Sequence, residues 1–177
     1  MYKDIFKRYP HNPPHLFLPD CYYMITASTY LKEPVMASDK RKREWLEAFL
    51  EAAELYKWQA IAWVVLRNHY HAIVKSPEDA HTLSKFVGSY HKFTSSKWND
   101  EDGVSGRKTW WNYWDTCLTS EKRFYSRLRY VFWNPVKHGL SEMPEGYPFS
   151  NYDEFLGNWQ VEFDFTDMEE VDDVPEF

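Results

Sequence analysis

Two cysteines in 177 residues, Cys21 and Cys117, are too few for a disulfide framework or a cysteine-rich zinc site. A reducing cytoplasm is the compartment expected of such a chain. No apolar run approaches the roughly 18 residues that cross a bilayer, so no membrane-spanning helix is expected. Residues 1–14 are polar, charged and proline-containing, which is not the pattern of a secretory leader. Basic residues are also in deficit, 21 against 27 acidic, for a net charge of −6. That sign argues at first sight against a nucleic-acid binder. The deficit is local, however. Residues 157–177 hold 8 of the acidic residues and no Lys or Arg, leaving residues 1–156 with 19 acidic against 21 basic, a net +2. A mildly basic body with an acidic tail permits phosphate binding without demanding it.

Aromatic residues are abundant: 9 Trp, 13 Tyr and 12 Phe. They fill cores, and they also stack on unpaired bases. At 177 residues and 44% hydrophobic, the chain suits one domain with a well-filled core.

Along the chain, residues 1–20 read as an extended arm, because Pro10, Pro13, Pro14 and Pro19 oppose regular helix. Residues 21–31 are rich in strand formers. Ser38 caps a helix to about Lys57, with Trp45, Leu46, Phe49, Ala53 and Tyr56 at helical spacing. Lys40, Arg41, Lys42 and Arg43 crowd its first turns; Arg41 and Arg43 are candidates for phosphate contact, against the plainer alternative of a solvated face. Residues 58–67 and 69–75 read as two strands of a hairpin. Ser76-Pro77-Glu78-Asp79 has the form of a helix start, leading to a helix with Leu83, Phe86, Val87, Tyr90 and Phe93 on its buried face and an end near Trp98. Lys85, Ser89, Lys92 and Ser96 make a polar stripe on it; Lys85 and Lys92 are further candidate DNA contacts, or an ordinary wet face. Residues 109–118 read as a fourth strand. Thr119 or Ser120 then caps a last helix, which Pro135 should end or kink and Gly139 should close. Residues 140–156 read as irregular.

The order β-α-β-β-α-β-α matches, in its first six elements, an α+β, ferredoxin-like split βαβ sandwich: an antiparallel sheet with helices on one face, plus a C-terminal helix. The expected organisation is an arm at 1–20, one catalytic or binding domain at 21–156, and an acidic tail at 157–177. The tail is a candidate strap over a basic groove.

The chemistry centres on Asn68-His69-Tyr70-His71. In a strand, side chains at i and i+2 share a face, so His69 and His71 project together and can hold one divalent metal. On the last helix, Tyr130 and Asn134 are one turn apart on one face. Should that face meet the histidines, two imidazoles and an amide oxygen would form a site for Mg²⁺ or Mn²⁺. A phenol would stand beside it, able to attack a metal-bound phosphate. Arg127, Arg129 and Lys137 are close enough in sequence to activate that phenol.

These stretches resemble a known family. Asn68-His69-Tyr70-His71 looks like the HUH motif, two histidines flanking a bulky residue. Tyr130-Val131-Phe132-Trp133-Asn134-Pro135-Val136-Lys137-His138-Gly139 resembles the Tyr-x-x-x-Asn-Pro-Val-Lys-x-Gly segment of single-tyrosine HUH transposases. REP-associated tyrosine transposases are the most similar branch, over about residues 21–155, including Tyr147-Pro148-Phe149-Ser150-Asn151-Tyr152. Tyr70 is polar-tipped where the family is commonly aliphatic, and Leu66-Arg67 replaces a common Met-Pro.

The resemblance implies a DNA strand-transfer enzyme acting on single-stranded DNA beside hairpins, as monomer or homodimer. Tyr130 is the implied nucleophile, forming a 5′-phosphotyrosine and freeing a 3′-OH. His69, His71 and Asn134 are the implied ligands of Mg²⁺ or Mn²⁺. Arg41, Arg43, Lys85, Lys92, Arg127 and Lys137 are the candidate DNA contacts. A reading from a different class is a ferredoxin-like module that holds DNA or RNA hairpins without cutting them; a replication initiator or relaxase is a third.

Overall fold

The computed structural model describes residues 6–7 and 15–158. In chain order it contains β1 (Phe6–Lys7), β2 (His15–Leu16), β3 (Tyr22–Ser28), α1 (Asp39–Tyr56), β4 (Gln59–Val65) and β5 (His69–Lys75). Then follow α2 (Leu83–Glu101), β6 (Trp114–Leu118), α3 (Glu121–Lys137) and α4 (Tyr152–Asn158). β1 and β2 form a small antiparallel pair. The other four strands form one antiparallel sheet in the order β4-β5-β3-β6, the order of a split βαβ unit. The expected α+β sandwich is therefore present. Most of the N-terminal arm and the tail from residue 159, with its proposed strap, lie outside the described residues.

Alternation along β5 decides what each face of the sheet carries. Tyr70 packs against Trp45 of α1 (ring centroids 4.3 Å) and Tyr90 of α2 (5.9 Å). His71, one residue on, meets Tyr130 of α3 instead. So α1 and α2 cover one face, and α3 crosses the other. The α1/α2 side is an aromatic cluster of Trp45, Phe49, Trp58, Phe86 and Tyr90, in stacked, tilted and edge contacts at 5.0–5.8 Å. Each such pair contributes about 0.5–1.5 kcal/mol beyond its area burial.

Several local expectations need correcting. Ser76 does not cap α2. Its Oγ accepts from the Cys21 N–H and donates to the Leu18 carbonyl, tying the β3 entrance to the β5 exit. The helix proper starts at Leu83, after a 3-10 turn at Ala80–Thr82 where Asp79 accepts from His81 N–H. It runs to Glu101, and Phe93 is 52% exposed, not buried. The fourth strand is shorter, Trp114–Leu118, joined upstream only by a Thr29–Trp110 bridge.

Pro135 does not end the last helix, which continues to Lys137. The ring removes one N–H, the donor to the Val131 carbonyl four residues back, while the Leu140 N–H still bonds the Pro135 carbonyl at 2.8 Å. The His138 N–H still bonds the Asn134 carbonyl, and Gly139, at φ 65°, supplies the left-handed exit. The region read as irregular contains α4. Before it, Asn151 covers the edge strand: Oδ1 accepts from the Trp63 N–H at 2.8 Å and Nδ2 donates to the Ile61 carbonyl at 2.9 Å. That blunts β4 against pairing with another chain. Phe132 of α3 packs on Tyr152 and Phe155 of α4.

Candidate active site

His69 and His71 lie side by side on β5, ring centroids 5.1 Å apart. α3, capped by the Ser120 side chain, buries Phe124, Leu128, Val131 and Phe132 and thereby sets its Tyr130/Asn134 face over the histidines. The Tyr130 ring meets His71 edge-on at 5.0 Å. Asn134 Oδ1 is 3.3 Å from His69 Nε2. The four residues singled out from the sequence therefore meet at one place, 65 residues of chain separating His69 from Asn134.

The hydrogen bonds around each imidazole decide where its lone pair points. Asn68 Nδ2 donates to the Lys32 carbonyl at 3.0 Å, which turns Asn68 Oδ1 toward His69 Nδ1 at 2.8 Å. An amide oxygen only accepts, so Nδ1 carries the proton and Nε2 the lone pair. That lone pair faces the Asn134 oxygen, another acceptor. His71 Nδ1 pairs with Thr26 Oγ1 at 2.8 Å, and its buried Nε2 has no hydrogen-bond partner.

Burial holds the His69 pKa down to about 4, helped by His138 and Lys32 and opposed by Asn134. His71 is pushed well below its usual value by burial, then by His69, His138 and Lys137. Both are thus neutral at pH 7, the form that binds metal. Converging lone pairs with no proton between them fit a divalent cation. Among the described residues no group of three His, Cys, Asp or Glu could hold one; the further polar atom beside the two imidazoles is the Asn134 amide oxygen. All three donors are uncharged.

The candidate cations divide by location. Lys137 Nζ is 5.7 Å from the Tyr130 ring centroid. Arg127 is buried on the same helix. Arg41 is engaged with Asp102 and with the Val35 carbonyl, and Arg43 is exposed on the same helix. Lys85 and Lys92 are exposed and line a groove along α2, across the sheet from the histidines. Sequence reasoning missed Asn68 and Thr26, which orient the imidazoles, and His138, whose ring is 4.9 Å from His69. Asn68 stands inside the quoted motif, between the two strands of the hairpin; for Thr26 only the strand register could have given a signal.

Three comparisons bear on this geometry. The family profile described as "Transposase IS200 like" matches residues 17–130. A relative in Haemophilus influenzae named as a REP-associated tyrosine transposase is 25% identical over 62% of this chain and 67% of its own. A REP-associated tyrosine transposase of Escherichia coli K12 is 31% identical over 51% of this chain, and the match spans about half of that relative, 52%. A solved REP-associated tyrosine transposase bound to a REP hairpin superposes with a TM-score of 0.67 at 19% identity, covering 94% of this chain and 97% of the other. At that identity the likeness is one of fold.

Proposed function

The chain belongs to the IS200-like transposase family, and on that footing we propose that it nicks and rejoins single-stranded DNA beside a hairpin, through a covalent link to Tyr130. The Tyr130 hydroxyl attacks the scissile phosphorus. The bond from phosphorus to the 3′ oxygen breaks, leaving a free 3′-OH and a 5′-phosphotyrosine. Attack of a 3′-OH on that link reverses the step, so phosphodiester energy is retained and no nucleotide triphosphate is consumed.

In this reading His69 Nε2, His71 Nε2 and Asn134 Oδ1 hold Mg²⁺ or Mn²⁺. Such an ion supplies Lewis acidity at the phosphate and offsets the charge that develops there. Asn68 fixes the tautomer of His69, and Thr26 holds the His71 ring in place. Lys137 lowers the cost of a phenolate at Tyr130, whose unperturbed pKa is about 10. The unit responsible is residues 21–156, extended to the end of α4 at Asn158.

The observation that carries the proposal is the facing of two acceptors, His69 Nε2 and Asn134 Oδ1, at 3.3 Å beside the Tyr130 ring. A module that only held hairpins would gain nothing from bringing a phenol, two neutral imidazoles and an amide together in this way. The test is incubation with labelled hairpin DNA from the flanks of its own gene, with Mn²⁺, then denaturing electrophoresis. A labelled band at protein mass that chelator removes is expected. DNA retained on native gels with no such band would replace the proposal by the binding-module reading.

A further inference from the structure

Past the end of β3, at the edge of the sheet, stands an aromatic pair, Tyr30 and Trp111, that neither the core nor the candidate chemistry uses. Trp110 and Trp111 show how the chain places it. Trp110 is bridged to Thr29, and its ring stacks on His91 of α2 at 4.4 Å, on the α1/α2 side. Trp111 follows it, outside the strand. Its N–H bonds the carbonyl of Ser28, and Ser28 is the register partner of His69. The Trp111 backbone is thus two strand spacings, roughly 10 Å, from that of His69.

Trp111 is 45% exposed, unusual for a tryptophan of a filled fold. Tyr30 stacks against it at 5.1 Å and 30°. Lys108 Nζ lies 4.1 Å from the Trp111 centroid and 4.9 Å from that of Tyr30. These three distances make a nearly equilateral triangle, so the ammonium and the phenol share one side of the indole.

The support is rigid. The Tyr30 N–H bonds the Thr109 carbonyl at 2.8 Å, and Thr29 Oγ1 donates to the Asn68 and Glu33 carbonyls. Leu31 and Lys32 follow with φ of 54° and 57°, two consecutive left-handed residues without glycine. That conformation is strained for L-residues and persists only where neighbours hold it. Here Asn68 Nδ2 holds it, through the Lys32 carbonyl, and the same amide orients His69. A cleft of about 340 Å³ opens alongside, its lining including Tyr30, Glu33, Arg41, Arg107 and Lys108.

An exposed indole backed by a second ring, with cations at its rim, has the chemistry of a base-stacking surface. We propose that Trp111, supported by Tyr30 and Lys108, is the platform on which an unpaired base of the single strand stacks next to the phosphate at the histidine pair. The inference rests on the strand-transfer reading for the identity of that phosphate. The platform makes cleavage depend on an unpaired nucleotide at a set distance from the scissile bond, which a duplex cannot supply.

The probe is a mixed-sequence 12-nucleotide single strand, compared with a blunt 12-base-pair duplex, both titrated into the full chain. Trp111→Ala should weaken the single strand by about 5- to 150-fold, the range for loss of one stacked base, and leave the duplex unchanged. Trp111→Phe should restore most of the loss. Photocrosslinking of the same strand carrying 5-iodouracil should mark Trp111 or Tyr30. Equal single-strand affinity of wild type and Trp111→Ala, or crosslinks confined to α2, would overturn the platform. Covalent attachment through Tyr130 is scored separately. Its loss with stacking intact would remove the strand-transfer reading, and its retention with stacking absent would remove only the platform.

Discussion

Asn68 holds His69 with both ends of one amide: its oxygen takes the Nδ1 proton at 2.8 Å while its nitrogen is anchored on the Lys32 carbonyl. Partners of this kind orient a ligand and raise its basicity, and losing them typically costs 10- to 100-fold in metal affinity. Asn68→Ala should therefore weaken Mn²⁺ binding, read by calorimetry, by about 10- to 100-fold. Asn68→Asp keeps the acceptor and should recover part of that. Unchanged Mn²⁺ affinity in Asn68→Ala would remove His69 from the ligand set.

Three uncharged donors leave the charge of a divalent ion uncompensated until an anion arrives. Mn²⁺ should thus bind weakly to the protein alone and about 5- to 150-fold more tightly in the presence of single-stranded DNA, with DNA affinity raised by the same factor. Paired titrations of Mn²⁺ with and without an uncleavable oligonucleotide check this. Equal affinities would mean that the phosphate does not complete the site.

Tyr70 sits between the two histidines in sequence but on the opposite face. Its hydroxyl bonds Tyr90 Oη at 2.8 Å and His91 Nε2 at 2.9 Å. Tyr70→Phe should lower stability by about 1–2 kcal/mol and leave Mn²⁺ binding and cleavage intact. A loss of Mn²⁺ binding out of proportion to the change in melting would contradict the two-face account.

Acid should unfold the protein through histidines that the fold keeps neutral, His69 and His71 buried and His91 partly so. Burial holds His91 down to about 3 and His69 to about 4, and pushes His71 in the same direction. Above about 6.5, the unfolded value, each is neutral in both states and its contribution is complete. As pH falls below that, the unfolded chain binds protons that the folded chain refuses, and stability is lost until the folded value is passed. The slope is about 1.4 kcal/mol per pH unit for each such histidine. Melting temperature should be level from pH 7 to 8 in this respect and fall between pH 6.5 and 4. A level profile across that lower window would contradict the neutral assignment.

Much of this was legible in the sequence because it follows from period and spacing. The two-residue repeat put His69 and His71 on one face, and the four-residue spacing put Tyr130 and Asn134 on one helical stripe. The strand and helix order identified the sandwich. What was not legible depends on tertiary partners. Ser76 has the form of a helix cap, yet two bonds to the start of β3 compete for its hydroxyl and win. Pro135 reads as a helix stop, yet α3 runs through it to Lys137, carried by the buried Phe124, Leu128, Val131 and Phe132. Arg41 reads as a phosphate contact, and only the fold brings Asp102 to it. Thr26 becomes a partner of His71 solely through the β3–β5 register.

The central claim is that Tyr130 is the attacking group. The most direct measurement is to trap the protein–DNA adduct formed in Mn²⁺ on single-stranded hairpin DNA, digest it, and locate the nucleotide-bearing peptide by mass spectrometry. The account predicts the nucleotide phosphate on the peptide containing Tyr130 and no adduct in Tyr130→Phe, with hairpin binding retained. Attachment at Tyr125 or Tyr113, or an undiminished adduct in Tyr130→Phe, would contradict it.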